Sequence, residues 1–398
     1  MFASLKIRNF RIYWLGMFVS LIGSWIQIVA QSWLVFDLTN SSFLLGFVGF
    51  LGSIPVFIFS LFGGVFADRL DKRKILIITQ SAFMVLAFLL ALLTQFKLIT
   101  PNQIMVIAVL NGIVMAFDAP SRQSVVADLV DKEHLLNAIA LNSAAFNSSR
   151  MIGPALAGVF VASIGMSGCF YINGISFLAV ILALLWIKIN HEPRNAASSS
   201  AFQELKDGLK VIKNNRTMLI LVSMVGISSL FGISYTILMP VFASQILHVG
   251  VKGLGVLMSS SGIGALAAAL MLAALGDFKY KGKFLSFASI IFSLSVILFS
   301  LSKSYLFAIF TLVFVGWAAV TAIALINTIL QTMVSDEYRG RVMSGFMFTF
   351  AGFMPFGNLL SGILSEHLGV SAAIMIGGII CAIFFTGIII LYPQIRKI

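Results

Sequence analysis

The feature that most constrains this chain is a succession of long apolar stretches, each about as long as a helix that crosses a lipid bilayer. A bilayer core about 30 Å thick requires roughly 20 mostly apolar residues in a helix, because lipid offers no hydrogen-bond partner to an open backbone. We delimit twelve stretches, at positions 13–37, 43–66, 75–96, 103–127, 136–163, 168–189, 217–246, 253–276, 284–302, 305–333, 342–367 and 371–391. The sequence therefore predicts an all-α membrane protein with twelve transmembrane helices.

The composition excludes the soluble classes of protein. Of the 398 residues, 60% are hydrophobic and 10% are charged, whereas soluble domains contain about 25% charged residues. The two cysteines and four histidines are scattered and indicate neither a disulfide framework nor a zinc site. The sequence contains no G-x-x-x-x-G-K-[ST] phosphate loop and no catalytic grouping at membrane depth. We therefore expect no cofactor, no metal, no ATP-driven transport by this chain alone and no enzyme.

The basic residues predict the orientation of the spans. Lys97, Lys252 and Lys303 lie on one side of the membrane, Arg122 and Arg150 lie within spans, and the rest of the 26 lysines and arginines lie on the side of both termini. Because cytoplasmic loops carry the excess of Lys and Arg, both termini are expected to be cytoplasmic. Topology thus explains the net charge of +12, which does not indicate a nucleic-acid partner. The first residues lead into a full span without a cleavage site, so we expect no removable signal peptide.

The longest polar segment, at 190–215, separates six spans from six. We therefore predict an N-terminal six-helix bundle at 1–189, a cytoplasmic linker at 190–215 and a C-terminal six-helix bundle at 216–398. Apolar residues recur at helical spacing within 202–213, which fits either a short amphipathic helix on the inner surface or a solvated linker.

Matches between the two halves support an internal duplication. A single offset takes Asp68 onto Asp277, in the loops after spans 2 and 8. A second offset takes Gly153 onto Gly357 and Gly158 onto Gly362. These pairs occupy equivalent points in the topology of each half.

Two motifs resemble those of the major facilitator superfamily of transporters. Residues 64–74, which read G-V-F-A-D-R-L-D-K-R-K, resemble its signature G-x-x-x-D-R-x-G-R-R after span 2, with Asp71 in place of the second glycine. Residues 153–158, which read G-P-A-L-A-G, resemble the G-P-x-x-x-G motif of its antiporters. A further similarity, to the branch that holds enterobactin exporters, macrolide efflux pumps and transmembrane secretion effectors, rests on residues 117–123, 136–138 and 150–154.

The resemblance covers the whole chain and implies two pseudo-symmetric six-helix bundles that export a small molecule by alternating access. It implies an amphiphilic drug or siderophore as substrate, proton antiport, a monomer and a bacterial cytoplasmic (inner) membrane. The expected partners are therefore a small-molecule substrate, protons and the lipid bilayer. The arginine that many drug antiporters carry early in span 4 would fall near Ala108, so that route of proton coupling is missing here.

The resemblance also assigns conformational roles to the two motifs. Asp68 and Arg69 would latch the outward-open state, and the span 5 motif would seal the inner side of the cavity. Small residues such as Gly63 and Gly64 would let helices approach closely. Loop anchoring and a simple packing kink are the alternatives. The residues assigned to these roles are Gly64, Asp68, Arg69, Arg73, Gly153, Pro154, Gly158 and Asp277.

Charges inside the membrane are the sharper candidates, because they are costly unless they are paired or face water. Asp118 and Arg122 share a face of span 4, and Arg150 in span 5 lies at a similar depth. Asp118 is either a protonatable site whose pairing with Arg150 or Arg122 changes during transport, or part of a static ion pair. Arg150 could instead meet an anionic substrate group. Asp37 is either an outer proton-uptake site or an interfacial cap, and Glu366 ranks below it.

Amides, a phenol and an aromatic ring at membrane depth are candidates for a substrate cavity. Such groups either line a water-filled cavity or bond between helices. The candidates are Gln27, Gln31, Asn111, Asn142, Phe146, Tyr235, Asn327, Gln331 and Asn358. Two other functions stay open: an uncoupled facilitator or lipid or nutrient carrier of the same fold, and a membrane scaffold or sensor.

Overall fold

The computed structural model describes residues 3–187, 201–276 and 278–397, without the side chains of residues 61, 65, 67–69, 201 and 397. The described residues form helices joined by short turns. Apart from the short 3₁₀ helices Ala3–Lys6 and Pro393–Lys397, these are α1 Arg8–Thr39, α2 Ser42–Arg69, α3 Lys72–Gln95, α4 Pro101–Asp128, α5 Lys132–Trp186, α6 Ala201–Asn214, α7 Arg216–Ile246, α8 Gly250–Leu275, α9 Lys281–Ser300, α10 Tyr305–Met333, α11 Asp336–Leu368 and α12 Val370–Leu391. Within these ranges, eleven helices, all except α6, are long and apolar enough to cross a membrane.

The twelve apolar stretches correspond to eleven helices because the fifth stretch and most of the sixth lie in α5. This helix has 55 residues, which at 1.5 Å per residue is about 80 Å and exceeds twice the thickness of a bilayer core. It is interrupted at Gly165, where φ is 76° and ψ is 175°. Glycine adopts positive φ without a steric penalty, so the break falls where the sequence allows it.

Side chains at the helix starts explain several boundaries. Asp71 caps α3, because its side chain accepts from the backbone N–H groups of Arg73 and Lys74. The aspartate that departs from the superfamily signature is therefore the N-cap of the next helix. Thr100 forms a capping box with Gln103 at the start of α4.

Contacts between helices divide the chain into two units. The first comprises Met1–Thr39 and Leu51–Ala201, and the second comprises Asn40–Phe50 and Phe202–Ile398. The first residues of α2 thus pack with the second unit. In the first unit, α5 packs along α1 and α3, and α3 also packs against α4. Its core at one end includes Phe10, together with Tyr13, Leu76, Val125 and Leu184.

The second unit is built around close approaches between helices. α10 packs against α8 and α9, and α12 packs against α9 and α11. A Cβ atom at Gly264 of α8 would collide with the carbonyl oxygen of Val313, and one at Gly316 of α10 would collide with that of Ser261. Glycines at the crossing therefore let the two backbones touch, as small residues do between membrane helices.

Candidate functional site

A carboxylate buried in the first unit is the centre of the candidate site. Asp118 of α4 is 0% exposed. Its Oδ2 accepts from Nη2 of Arg122, one turn further along the same helix. Its Oδ1 accepts from Oγ1 of Thr79 at 2.8 Å and from Nε2 of Gln80 at 2.7 Å, both on α3. Three donors therefore hold the carboxylate, one of them charged, which is the condition under which an ionised group is tolerated in an apolar interior.

The local sequence places these groups by simple geometry. Thr79 and Gln80 lie seven and eight residues after the start of α3, which is about 10 to 12 Å of helix. Asp118 lies ten residues before the end of α4, about 15 Å. Lys72 is the first residue of α3 and Asp128 is the last residue of α4. Nζ of Lys72 lies 2.6 Å from Oδ2 of Asp128, so the two side chains form an ion pair. This pair ties the neighbouring ends of α3 and α4 together and helps to set the depth at which Thr79 and Asp118 meet.

Polar atoms around the ion pair retain unused hydrogen-bonding capacity. The Oη of Tyr13, Oε1 of Gln80 and Nε of Arg122 are buried and have no hydrogen-bond partner among the described residues. Tyr13 belongs to α1, is fully buried and interacts electrostatically with both Arg122 and Asp118. A buried polar group without a partner costs about 1 to 3 kcal/mol. These atoms could therefore form further hydrogen bonds if the side chains of the cluster rearranged.

The hydroxyl of Thr79 lies within reach of two acceptors. Its Oγ1 is 2.8 Å from Oδ1 of Asp118 and 3.1 Å from the carbonyl oxygen of Leu76. A hydroxyl has one hydrogen to donate and can also accept. When Asp118 is ionised, Thr79 can donate to it. When Asp118 is protonated, the carboxyl can donate to Thr79, whose own hydrogen turns to Leu76. The Thr79 hydroxyl can therefore act either as donor or as acceptor opposite Asp118.

Sequence reasoning had left the partner of Asp118 open between Arg122 and Arg150. The structure pairs it with Arg122, and Arg150 lies half-buried on α5. Thr79 and Gln80 were missed. Two adjacent polar residues within the apolar span 3 were the available signal, but hydropathy averaged over the span conceals them.

Among the cavity candidates of the first unit, Gln27 makes an interhelical bond. Its Oε1 accepts from Nδ2 of Asn173 on α5 at 2.7 Å, and its Nε2 lies 3.5 Å from Oε1 of Gln31. The ring of Phe146 packs edge-on to Trp25, and its side chain is half exposed. The remaining candidates of this unit, both half-buried, are Asn111 and Asn142.

In the second unit, the cavity candidates fall into a buried and a half-buried group. Tyr235 is buried, with its Oη 3.2 Å from Oγ of Ser261, and Asn358 of α11 is buried too. Asn327 and Gln331 are half-buried on one face of α10 and bond to each other at 2.6 Å. This last pair leaves polar atoms at the surface of a membrane helix, which favours contact with water over lipid.

Tyr235 lies in a membrane segment whose backbone departs from the α-helix. Within α7, π-helical turns occupy Ser228–Gly232 and Phe242–Ile246, and a 3₁₀ segment occupies Ile233–Leu238. Turns of π-helix are rare and frequently occur at functional sites. Ser228 and Ile233 border a cavity of about 10 Å³, which holds one water molecule at most. Sequence reasoning had treated 217–246 as one uniform span.

The first motif divides into described and undescribed residues. Asp277 and the side chains of Asp68 and Arg69 lie outside the described part of the chain, so the latch stays a prediction. Gly64 makes no close approach to the described residues, because a Cβ there would meet none of their atoms within 4 Å. The close approach is made by Gly63, where a Cβ would collide with the carbonyl oxygen of Ala116. Arg73 donates to the carbonyl oxygens at the end of α5, Leu184 and Leu185.

The second motif packs α5 against α1. A Cβ at Gly153 would collide with that of Trp25 and lie 3.1 Å from the carbonyl oxygen of Ile22. Pro154 and Gly158 are buried in the same helix. This geometry accounts for the glycine as a packing residue; a sealing role stays a prediction.

Near the end of α11, Glu366 binds the start of α2. Its Oε2 accepts from the backbone N–H of Phe43 at 3.0 Å and from Oγ of Ser41 at 3.2 Å. An acidic group at a helix N-terminus is stabilised by the unpaired N–H groups and the dipole. The same two helices also touch at Gly46 of α2, where a Cβ would lie 2.8 Å from the Cα of Gly362 of α11. Asp37, which ranked higher from the sequence, is exposed at the end of α1.

No three His, Cys, Asp or Glu side chains among the described residues come together as a metal site. The two free cysteines, Cys169 and Cys381, are both buried. The chemistry of the described site therefore rests on a carboxylate, a guanidinium, hydroxyls and amides.

Comparison with known proteins identifies the family. The family described as transmembrane secretion effector matches residues 1–398. A staphyloferrin A transporter of Staphylococcus aureus is 30% identical over 370 residues, covering 91% of each chain. Macrolide efflux protein A of Streptococcus pyogenes is 22% identical over 404 residues, covering 99% of this chain and 97% of that one. A crystal structure of a bacterial homologue of the human lysosomal transporter Spinster superposes with a TM-score of 0.77 at 12% identity, covering 98% of both chains.

Proposed function

We propose that this chain, which belongs to the transmembrane secretion effector family of the major facilitator superfamily, exports an amphiphilic small molecule in exchange for protons. The family makes the chain a multi-pass membrane transporter of small molecules. Relatives named for staphyloferrin A transport and for macrolide efflux support export of a siderophore or a drug.

The observation that carries proton coupling is the Asp118 site. A fully buried carboxylate is held by an arginine and by a hydroxyl that can serve either protonation state. Ionised Asp118 binds the guanidinium of Arg122. A proton on Asp118 removes its charge and weakens that attraction, so Arg122 is free to take another partner. Protonation would thereby change the partner of Arg122, and it would also reverse the Thr79 hydrogen bond that joins α3 to α4.

Alternating access would then proceed by rocking of the six-helix bundles 1–189 and 216–398, joined by the linker 190–215. Both termini would face the cytoplasm of a bacterial inner membrane, and one chain would suffice. We propose that polar side chains at membrane depth within each bundle contact the substrate. The half-buried polar candidates that support it are Gln31, Asn111, Asn142, Asn327 and Gln331.

Reconstitution in liposomes tests the proposal, with radiolabelled erythromycin and staphyloferrin A as probes. We expect uptake of at least one probe into inverted vesicles to rise when a pH gradient, acidic inside, is imposed. Asp118→Asn should abolish the response to the gradient. Asp128→Asn is the matched control, because it removes a carboxylate that also pairs with a basic residue but lies at the exposed end of α4.

The outcomes separate the competing functions. Transport that ignores the gradient in the unmodified protein would identify a facilitator and exclude antiport. An Asp118→Asn variant that remains fully gradient-driven would exclude Asp118 as the coupling site. Absence of flux with both probes would contradict the export of macrolides and siderophores.

A further inference from the structure

α6 has 14 residues, which is too short to span a bilayer core, and it packs against the second unit along one side. Leu205 and Ile212 are buried, at 4% and 2% exposure. A Cβ at Gly208 would collide with the carbonyl oxygen of Arg341, and one at Gly345 would lie 2.6 Å from Cδ1 of Ile212. The backbone of α6 is therefore pressed against the first turns of α11, and its orientation about its own axis is set.

The opposite side of α6 is basic and carries an exposed aromatic ring. Phe202 is 68% exposed, and Lys206, Lys210 and Lys213 are exposed as well. Residues spaced by three and four positions share one helix face. The fixed helix thus presents a stripe of three ammonium groups that begins with a phenyl ring, named here the lysine stripe.

The lysine stripe lies at an end of the unit where membrane segments begin. Asn215 directly follows α6 and caps α7, its side chain accepting from the N–H groups of Thr217 and Met218. Arg341 and Gly345, which α6 contacts, lie five and nine residues after the start of α11, about 8 and 14 Å. α6 therefore lies beside the first turns of α7 and α11, two helices that are long and apolar enough to cross a membrane.

Other basic groups cluster at this end of the same unit. The guanidinium of Arg216 lies over the ring of Tyr392 at 4.7 Å and donates to its hydroxyl at 3.0 Å. Arg396 donates to the carbonyl oxygen of Ile389 at the end of α12. Positive charge therefore surrounds the position where α6 meets the membrane boundary.

We propose that the lysine stripe binds the headgroups of anionic phospholipids in the adjoining leaflet, with Phe202 entering the boundary between headgroups and acyl chains. Basic residues next to a membrane helix are attracted to the anionic headgroups of the adjoining leaflet. Each lysine near an anionic surface contributes roughly a fivefold gain in affinity. The exposed lysines of α6, next to the starts of two candidate membrane helices, therefore favour a lipid partner.

Hydrogen–deuterium exchange of the purified protein in nanodiscs tests the proposal without requiring transport. Amides of residues 201–214 should exchange on the order of tenfold more slowly in discs that contain phosphatidylglycerol than in discs of phosphatidylcholine alone. Combined replacement Lys206→Gln, Lys210→Gln and Lys213→Gln should remove this difference. The matched control is Lys97→Gln, Lys252→Gln and Lys303→Gln, which removes the same charge from loops predicted to lie on the other side of the membrane. It should keep the difference.

Further arms separate the sources of an effect. Lysine-to-arginine replacement at the three positions should restore protection, which excludes misfolding as the cause of its loss. Phe202→Ser should reduce protection in both kinds of disc. Equal exchange in both lipids for the unmodified protein would overturn the proposal. Loss of the difference in the control variant, or equal protection from soluble glycerol phosphate in phosphatidylcholine discs, would overturn it too.

Discussion

The buried ion pair makes a quantitative prediction about stability that a double-mutant cycle can test. Asp118 is 0% exposed. In Arg122→Gln its Oδ1 keeps the two neutral donors, Thr79 and Gln80, but its Oδ2 loses the charged donor Arg122. Removing one partner of a buried pair typically lowers the free energy of unfolding by about 3 to 5 kcal/mol. Asp118→Asn leaves a guanidinium whose side chain is 21% exposed. Water can reach part of it, so we expect a smaller loss of about 1 to 2 kcal/mol.

The double variant Asp118→Asn with Arg122→Gln removes both charges and leaves two amides able to bond to each other. Neutral replacement of a buried pair is often close to isoenergetic, so we expect its free energy of unfolding to lie within about 2 kcal/mol of the unmodified protein. Because the two single losses add up to about 4 to 7 kcal/mol, the interaction free energy is then at least about 2 kcal/mol.

Equilibrium unfolding in mixed micelles, followed by tryptophan fluorescence, measures all four proteins under one condition. The slope with denaturant must stay constant for the comparison to hold. Destabilisation of the double variant equal to the sum of the two single variants would refute the reasoning. In that case the two side chains would be neighbours without energetic coupling.

Three further predictions concern packing and caps. Gly63→Ala should lower the melting temperature, because its Cβ would collide with the carbonyl of Ala116. The adjacent Gly64→Ala should not, because no atom of the described residues lies within 4 Å of its Cβ; equal melting temperatures of the two variants would contradict this. Asp71→Ala should cost about 1 kcal/mol of unfolding free energy through the lost α3 cap, and Asp71→Ser should recover most of it. Glu366→Gln should speed hydrogen exchange at the start of α2, because a neutral amide binds the helix N-terminus less strongly; unchanged exchange would exclude the cap.

The fold was predictable because a membrane reduces the problem to length and polarity. Stretches at 103–127 and 305–333 appear as α4 Pro101–Asp128 and α10 Tyr305–Met333. The all-α major facilitator fold and the family are confirmed. Hydropathy does not depend on whether the backbone of a span forms α, π or 3₁₀ hydrogen bonds. It therefore could not predict the π and 3₁₀ turns in α7.

The site was predictable only where its members are close in sequence. Asp118 and Arg122 are one turn apart on one helix, so their pairing follows from spacing alone. Thr79 and Gln80 join them through the packing of α3 on α4, and nothing local to residues 79–80 specifies that contact. The sequence gives no indication that Glu366 caps α2, for the same reason. That role depends on where the N-terminus of α2 lies in space.

Both units consist of long apolar helices, but the polar groups that lie deep within those helices differ. In the first, a carboxylate and a guanidinium lie deep within α4. In the described spans of the second, charged residues stay near the helix ends, and the deep polar groups are hydroxyls and amides such as Tyr235, Ser261 and Asn358. The second unit instead contains the irregular α7, whose backbone can be tolerated at membrane depth because the segment is largely buried in protein. If protonation acts in the first unit, a response in the second must use backbone rearrangement rather than ion-pair exchange. Hydrogen exchange along α7 that changes between the unmodified protein and Asp118→Asn would reveal that link, and exchange that stays the same would exclude it.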